Sequence, residues 1–245
     1  TIKKKSRAGE IWRRFRKNKL AVFGMILFAL ILLVAIFADA IVNYSVATTQ
    51  VAADRLLSPN AEHWFGTDNY GRDLFARIVH GSRNSLLVGF GSVAIGVVLG
   101  GLLGAVCGYV GGRFDAIMMR VLDSIMCIPS MMMALAIVAA LGSSLVNVLL
   151  AMTISNVPWY CRIIRSSVLG VTGQTYIEAA RSCGTSDFQI IMTHVLPNAM
   201  GPIIVQATMG IGGAIISAAG ISFVGMGIQP PAPEWGAMLN EAKTF

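Results

Sequence analysis

The feature that most constrains this chain is a run from Leu20 to Ala38 that contains no charged side chain. At a rise of about 1.5 Å per residue, a helix of that length nearly crosses a bilayer core of about 30 Å. The run is too long for the apolar region of a signal peptide, and a strongly basic segment precedes it. We therefore expect an uncleaved transmembrane helix.

Four further apolar segments follow, and the composition agrees with them. Hydrophobic residues make up 55% of the chain and charged residues only 13%, about half the charged fraction of soluble domains. The 26 glycines are also typical of membrane helices, in which small residues allow close packing. The sequence therefore predicts an all-α, polytopic helical membrane protein, with further spans at about 85–110, 121–141, 145–160 and 202–224.

Basic residues predict the orientation, because Lys and Arg are retained on the cytoplasmic side of a membrane. Placing the N-terminus inside puts most of the 19 Lys and Arg residues in the cytoplasm. This asymmetry accounts for the formal net charge of +7 without a nucleic-acid partner, and the basic arm is expected to touch anionic membrane lipid. Five spans would leave the C-terminus outside, so we expect a sixth span to be missing there.

Gly96, Gly100, Gly104 and Gly108 recur every four residues within the second predicted span. Residues four apart are neighbours on a helix surface, so these glycines form a smooth groove. The pattern predicts close packing against a partner helix, which either slides along the groove or stays fixed in it.

The segment from Tyr160 to Asn198 is too polar to cross a membrane and too patterned to be a loose linker. Two pairs of residues fit capping boxes, Thr175 with Glu178 and Ser186 with Gln189. A glycine at 184 is typical of the position just past a helix end. The sequence predicts two short helices, at about 176–183 and 187–196, joined at this glycine and ending before a proline at 197.

The same segment carries a family resemblance. Residues 178–180 read Glu-Ala-Ala, a glycine follows at 184, and Leu-Pro stands at 196–197, a pattern that resembles the EAA loop of permease subunits in bacterial ABC importers. His194, where the commonest form has Ile, is similar to the dipeptide, oligopeptide and nickel branch, as are residues 63–73 and 227–236. The resemblance implies the type I ABC importer permease fold. It also implies an ATPase-coupling loop that contains Glu178, Ala179, Ala180, Gly184, Leu196 and Pro197.

This resemblance also implies a function and a set of partners. The chain would be a non-enzymatic subunit of the bacterial cytoplasmic (inner) membrane that forms the translocation pathway for di- or oligopeptides. Its partners would be a homologous second permease subunit, one or two cytoplasmic ATPase subunits and an extracytoplasmic substrate-binding protein. The ATPases would bind ATP and Mg, and this chain would hold no cofactor. Import of nickel or of another metal complex is the alternative that stays open.

The expected organisation has three parts. Residues 1–40 form the basic arm and first span, residues 41–84 an extracytoplasmic segment, and residues 85–245 the permease core with its coupling loop at 161–198. In the extracytoplasmic segment, Asp68, Arg72 and Asp73 either pair with one another or meet a substrate-delivering protein.

Polar residues within apolar spans are the candidates for the translocation pathway. Asn156 and Gln206 qualify, and each either contacts substrate or bonds a neighbouring helix. Pro158 is expected to break the fourth span near its inner end. Near the inner surface, two acids are expected to pair with arginines close by in the sequence, Asp115 and Asp123 with Arg113 and Arg120.

Residues that would indicate an enzyme are not found in the sequence. No nucleophile stands beside a visible base, no phosphate-binding loop occurs, and the four cysteines show no metal-ligand spacing. We therefore expect no catalytic and no metal site, which argues against an intramembrane enzyme. A channel or secondary transporter is the other competing class. Carriers usually rely on intramembrane acids or broken helices, and acids are lacking deep in the predicted spans.

Overall fold

A computed structural model describes residues 12–13 and 15–243, which form two compact units divided between Arg83 and Asn84. The described residues are helical, apart from connecting segments and one isolated bridge between Thr67 and Asp73. Most of the basic arm that predicts the orientation lies outside the described residues.

The apolar run from Leu20 to Ala38 lies mostly within one helix of the first unit. Helix α1 (Lys19–Ile36) starts where the Asn18 side chain accepts a hydrogen bond from the Ala21 backbone N–H at 3.2 Å. Among its residues only Ala35 is buried, so its apolar surface is free to face lipid. Two short helices follow, α2 (Ala38–Ile41) and α3 (Tyr44–Thr48), and then a 3₁₀ turn (Ala52–Asp54).

Asp68 is the centre of a buried ion cluster in this unit. Its carboxylate accepts hydrogen bonds from Arg72 Nε at 2.6 Å and from the Arg77 guanidinium. Burial disfavours the charged carboxylate, but the backbone N–H groups of Arg72 and Tyr70 and the Arg72 guanidinium outweigh it, so the pKa of Asp68 lies below its usual value. The structure therefore supports local pairing for Asp68 and Arg72, whereas Asp73 pairs with His63 at 2.8 Å.

Helix α4 (Leu74–Val110) is longer than the predicted second span and crosses the division between the units. It begins well before residue 85 because the Asp73 carboxylate accepts a hydrogen bond from the Ala76 backbone N–H at 2.7 Å, as a helix cap does. It ends at Gly111 and Gly112, whose φ angles are 65° and 61°.

The third predicted span is wrong as a continuous helix. The chain forms α5 (Gly112–Met126) and α6 (Ser130–Leu141), which meet at an angle of 79°. The break falls at Pro129, which lacks an N–H group and disfavours helical geometry in the residue before it.

The predicted inner end of the fourth span, near Tyr160, is wrong. Helix α7 (Leu145–Thr172) continues through Pro158 and extends twelve residues beyond Tyr160, into the expected coupling loop. Its last turns are held by burial, since Ile164 and Val168 are at most 1% exposed. Burial of this amphipathic end outweighs the one backbone hydrogen bond that a proline removes.

The remaining helices complete the second unit. They are α8 (Thr175–Ser182), α9 (Asp187–Ile190), a π-helical turn (Ile191–Val195), α10 (Leu196–Phe223) and α11 (Trp235–Ala242). The core of the unit lies among α6, α7 and α10, and Ile177, Ile190 and Val195 extend it towards the short helices.

Three described helices, or up to four if the bent α5–α6 pair is one span, are long and apolar enough to cross a membrane. They are α1, α4 and the run Asp187–Phe223, which includes α10. Helix α7 is not among them, and the count of five spans stays a prediction.

Candidate functional site

The polar segment after α7 forms a hairpin of two short helices, which we call the α8–α9 hairpin (residues 175–190). Helix α8 turns one face to the core, where Ile177 is fully buried and Ala180 is partly buried. Its other face carries Glu178 and Ala179, which are both exposed. The Glu-Ala-Ala sequence is therefore divided, with two residues available to a partner and Ala180 packed inward.

Gly184 makes the turn between the two helices. Its φ angle of 78° lies in the left-handed region that favours glycine, and its N–H donates to the Arg181 carbonyl at 2.9 Å. The Thr185 N–H donates to the Ala180 carbonyl at 3.2 Å, which completes a Schellman motif. The predicted helix end at this glycine is confirmed.

The two predicted capping boxes have different outcomes. Ser186 caps α9 by accepting a hydrogen bond from the Gln189 backbone N–H at 3.4 Å. The Thr175 box is wrong, because helix α8 begins one residue earlier than predicted and places Thr175 inside it. Gln174 then occupies the cap position without a side-chain hydrogen bond. Glu178 is thus an exposed residue of the first turn and does not close a box.

Leu196 and Pro197 do not end a helix, which corrects the predicted stop. The chain passes from α9 through the π-helical turn directly into α10, which begins at these two residues. Proline is tolerated in the first turn of a helix, where its missing N–H group is not needed for a helical hydrogen bond. The wider π turn lies immediately before it. The hairpin is therefore joined to α10 without a break in the helix.

Tyr109 connects both arms of the hairpin to the end of α4. Its hydroxyl donates to Asp187 Oδ1 at 2.5 Å and accepts from Arg181 Nε at 3.1 Å. The Arg181 guanidinium also stacks over the phenol ring, 4.7 Å from its centre. The hydrogen bond to Tyr109 raises the pKa of Arg181 above its usual value. Sequence reasoning missed these contacts.

The hairpin and the turn after it also present large apolar side chains to solvent. Phe188 is 75% exposed, and Tyr176 and Met192 are at least 40% exposed. Exposed aromatic and methionine side chains close to charged ones are typical of protein contact surfaces.

The four evenly spaced glycines of α4, at positions 96, 100, 104 and 108, lie against α7, and we call this contact the glycine seam. A Cβ atom at Gly100 would lie 2.8 Å from the Val157 carbonyl oxygen, and one at Gly108 would lie 2.9 Å from the Arg165 carbonyl oxygen. At Gly104 the Arg165 backbone nitrogen would be 3.0 Å away, and at Gly96 the Tyr160 ring 3.1 Å. Three of the four glycines thus allow direct backbone-to-backbone approach.

Two ion pairs join α5 to α7. Asp115 accepts from Arg165 through both carboxylate oxygens, each at 2.5 Å, and Asp123 pairs with Arg162. The predicted pairing with Arg113 and Arg120 is wrong, because the unexpected length of α7 brings its own arginines alongside α5.

Asn156 lines a cavity of about 360 Å³ between the α5–α6 break and α7. Ser155, Met126, Met133 and Trp159 also line it, so its wall is mostly apolar with a few polar groups. Gln206 lies elsewhere on α10, partly buried, and is not among the described residues that line this cavity. No three His, Cys, Asp or Glu side chains in the described part of the chain are grouped as a metal site would require.

Comparisons with known proteins agree with this architecture. A family model described as binding-protein-dependent transport system inner membrane component matches residues 96–245. A model of the N-terminal TM domain of oligopeptide transport permease C matches residues 6–59. The dipeptide transport system permease protein DppC of Alkalihalophilus pseudofirmus is 46% identical over 236 residues, 96% of this chain and 77% of the relative. The glutathione transport system permease protein GsiD of Escherichia coli is 45% identical over 235 residues, with the same shares covered.

Proposed function

Because the chain belongs to the family of binding-protein-dependent transport system inner membrane components, it is a permease and not an enzyme, and we propose that its substrates are short peptides. The similarity to a dipeptide permease, 46% over nearly the whole chain, is the observation that carries this proposal. The relative named for glutathione, itself a small peptide, supports the same substrate class.

The α8–α9 hairpin is the surface on which a cytoplasmic ATPase docks in this proposal. Glu178 and Ala179 offer an exposed, small-sided helix face, and Phe188 offers an exposed aromatic side chain on the adjoining helix. Gly184 fixes the angle between the two helices, and Ala180 anchors α8 to the core. Leu196 and Pro197 begin the helix that would carry movement of the hairpin towards the membrane.

The proposed assembly contains a homologous second permease, one or two ATPases and an extracytoplasmic binding protein. The ATPases would bind ATP and Mg, so this chain needs no cofactor of its own. It lies in the bacterial cytoplasmic membrane with its N-terminus and the hairpin inside. Closure of the ATPases would displace the hairpin. The permease would then shift between two states because each state makes different contacts with the ATPases.

The cavity beside the α5–α6 break is our candidate for part of the translocation pathway. Asn156 supplies an amide that can hydrogen-bond a peptide, and the methionines supply an adaptable apolar wall. Gln206, on α10, is proposed as a second polar contact along the pathway.

Reconstitution of the permease with its partners in proteoliposomes tests the proposal. We expect a radiolabelled dipeptide to accumulate with ATP, and not with a non-hydrolysable ATP analogue. Uptake without ATP hydrolysis would indicate a channel or secondary transporter. Uptake of a nickel complex but of no di- or oligopeptide would contradict the peptide assignment and leave the permease function standing.

A further inference from the structure

The side chain of Tyr109 joins the α8–α9 hairpin to α4. It lies one residue before the end of α4, and its contacts reach residues 72 and 78 positions away in the sequence. Arg181 belongs to one arm of the hairpin and Asp187 to the other, so a single side chain holds both arms. Only 8% of Tyr109 is exposed, whereas Arg181 and Asp187 are exposed, so the contact joins a buried side chain of α4 to the surface of the hairpin.

The chemistry of the contact requires a phenol. The hydroxyl must donate to a carboxylate and at the same time accept from a guanidinium, and the ring must offer a face to the same guanidinium. Phenylalanine would retain the stacking and lose both hydrogen bonds. A tyrosine-to-phenylalanine change therefore separates the hydrogen bonds from the packing.

The residues around Tyr109 determine which helices would move when the hairpin is displaced. Immediately after α4, Gly111 and Gly112 turn the chain into α5 with two consecutive positive φ angles. Immediately before Tyr109, Gly108 packs on the backbone of α7, as Gly104 and Gly100 do further along. Because backbones in direct contact leave little room for relative displacement, α4 and α7 are expected to move together.

We propose that Tyr109 is the positioning residue that transmits movement of the α8–α9 hairpin to α4, which the glycine seam holds against α7. This inference rests on the proposed function of the hairpin as the ATPase-docking surface. Transmission through Tyr109 adds to two covalent connections, since α7 leads into α8 through Gly173 and Gln174 and the hairpin continues through the π-helical turn into α10. An ATPase that presses on the hairpin then also acts on α4, which is distant from the hairpin in the sequence.

The decisive measurement is the amount of dipeptide transported per ATP hydrolysed by the complete importer. In Tyr109→Phe we expect ATP hydrolysis within about twofold of the unaltered importer and a roughly tenfold lower ratio of transport to hydrolysis. Tyr44→Phe is the control, since Tyr44 belongs to neither the hairpin nor the glycine seam and its ring contact with His80 survives the change, so the ratio should be unchanged. An unchanged ratio in Tyr109→Phe would overturn the proposal.

A double-substitution cycle distinguishes transmission from a purely structural role. Asp187→Ala should lower the same ratio, and the double variant with Tyr109→Phe should be no worse than either single variant. Losses that add independently would contradict a shared connection. If hydrolysis, transport and thermal stability all fell together, Tyr109 would have only a structural role and the proposal would be contradicted.

Hydrogen exchange of the permease provides a readout that needs neither substrate nor ATPase. We expect amides of the hairpin to exchange roughly tenfold faster in Tyr109→Phe, with amides of the glycine seam unchanged. Unaltered exchange in the hairpin would overturn the proposal on its own. Failure of ATP-driven peptide uptake by the unaltered importer would instead overturn the proposed function, and the exchange result would still decide whether Tyr109 holds the hairpin.

Discussion

The glycine seam and the α8–α9 hairpin both depend on small residues, but for opposite reasons. In the seam, Gly100 and Gly104 have backbone atoms of α7 within about 3 Å of where a Cβ would stand. In the hairpin, Ala179 is exposed, although its neighbour Ala180 packs on the core. A small residue in the seam admits a neighbour that is already present, whereas in the hairpin it leaves a surface uncovered.

This difference separates two kinds of sensitivity to mutation. A side chain added in the seam must displace backbone, so its cost appears in the stability of the isolated chain. A side chain added at Ala179 extends from an exposed position, so its cost is expected when a partner binds. Stability and transport should therefore respond separately to substitutions in the two regions.

The largest expected effect is that of Gly104→Val. The added side chain would collide with the backbone of α7 near Cys161 and Arg165, so we expect a loss of about 3 kcal/mol or more in stability. Thermal melting of the purified permease in detergent, followed by size-exclusion chromatography, measures this loss.

Gly212→Val is the matched control for the seam. It makes the same substitution within a helix, but no neighbouring atom of the described residues lies within 4 Å of a Cβ at that position. We expect its melting temperature to stay within a few degrees of the unaltered permease. Similar losses in both variants would mean that the seam is not the cause.

The next prediction compares two adjacent alanines. Ala179→Arg should lower ATP-driven uptake more than tenfold and leave the melting temperature nearly unchanged, because the new side chain lies on an exposed face. Ala180→Arg should lower both uptake and melting temperature, since it forces a charge towards the core. Uptake in proteoliposomes and melting of the same preparations provide the two measurements.

Ala179→Ser serves as the control for this pair, because it adds a single oxygen and should retain most of the uptake. If Ala179→Arg transports and hydrolyses ATP normally, the hairpin is not the docking surface. A loss of melting temperature equal to that of Ala180→Arg would mean that the two faces of α8 do not differ as the structure indicates.

Sequence reasoning identified the seam from one local regularity but not its partner. A spacing of four residues places the glycines on one side of α4. The sequence does not indicate that α7 is the helix that packs against them. The two prolines illustrate the same limit. Pro129 breaks its helix and Pro158 does not, although both were expected in apolar spans. The difference arises from tertiary contacts of the residues that follow Pro158.

The parts of the hairpin that depend on neighbouring residues could be predicted from the sequence. The contacts between residues distant in the sequence could not. Gly184 and Ser186 act through backbone groups within a few positions, so a single sequence is sufficient to find them. The Thr175 box failed because α8 begins one residue earlier than the pattern indicates. The contacts of Tyr109 join residues more than 70 positions apart, and no local pattern reports such a distance.

The smallest expected effect concerns the turn that gives the hairpin its shape. Gly184 has a φ angle of 78° and nothing within 4 Å of a Cβ, so Gly184→Ala tests backbone strain without steric collision. We expect a cost of about 1 kcal/mol, since the left-handed conformation is unfavourable for alanine, and a smaller cost for Gly184→Asn. Faster hydrogen exchange of the Thr185 amide, which closes the Schellman motif, is the measurement that reports this locally.

The same pair of variants relates the shape of the hairpin to docking. If a partner requires the angle fixed at Gly184, uptake should fall in Gly184→Ala and recover largely in Gly184→Asn, in the order of their strain. Equal uptake in both variants, despite faster exchange in Gly184→Ala, would mean that the exposed face of α8 suffices for docking and that the angle between the helices does not matter. The turn at Gly184 would then contribute to the stability of the folded chain and not to binding of the partner.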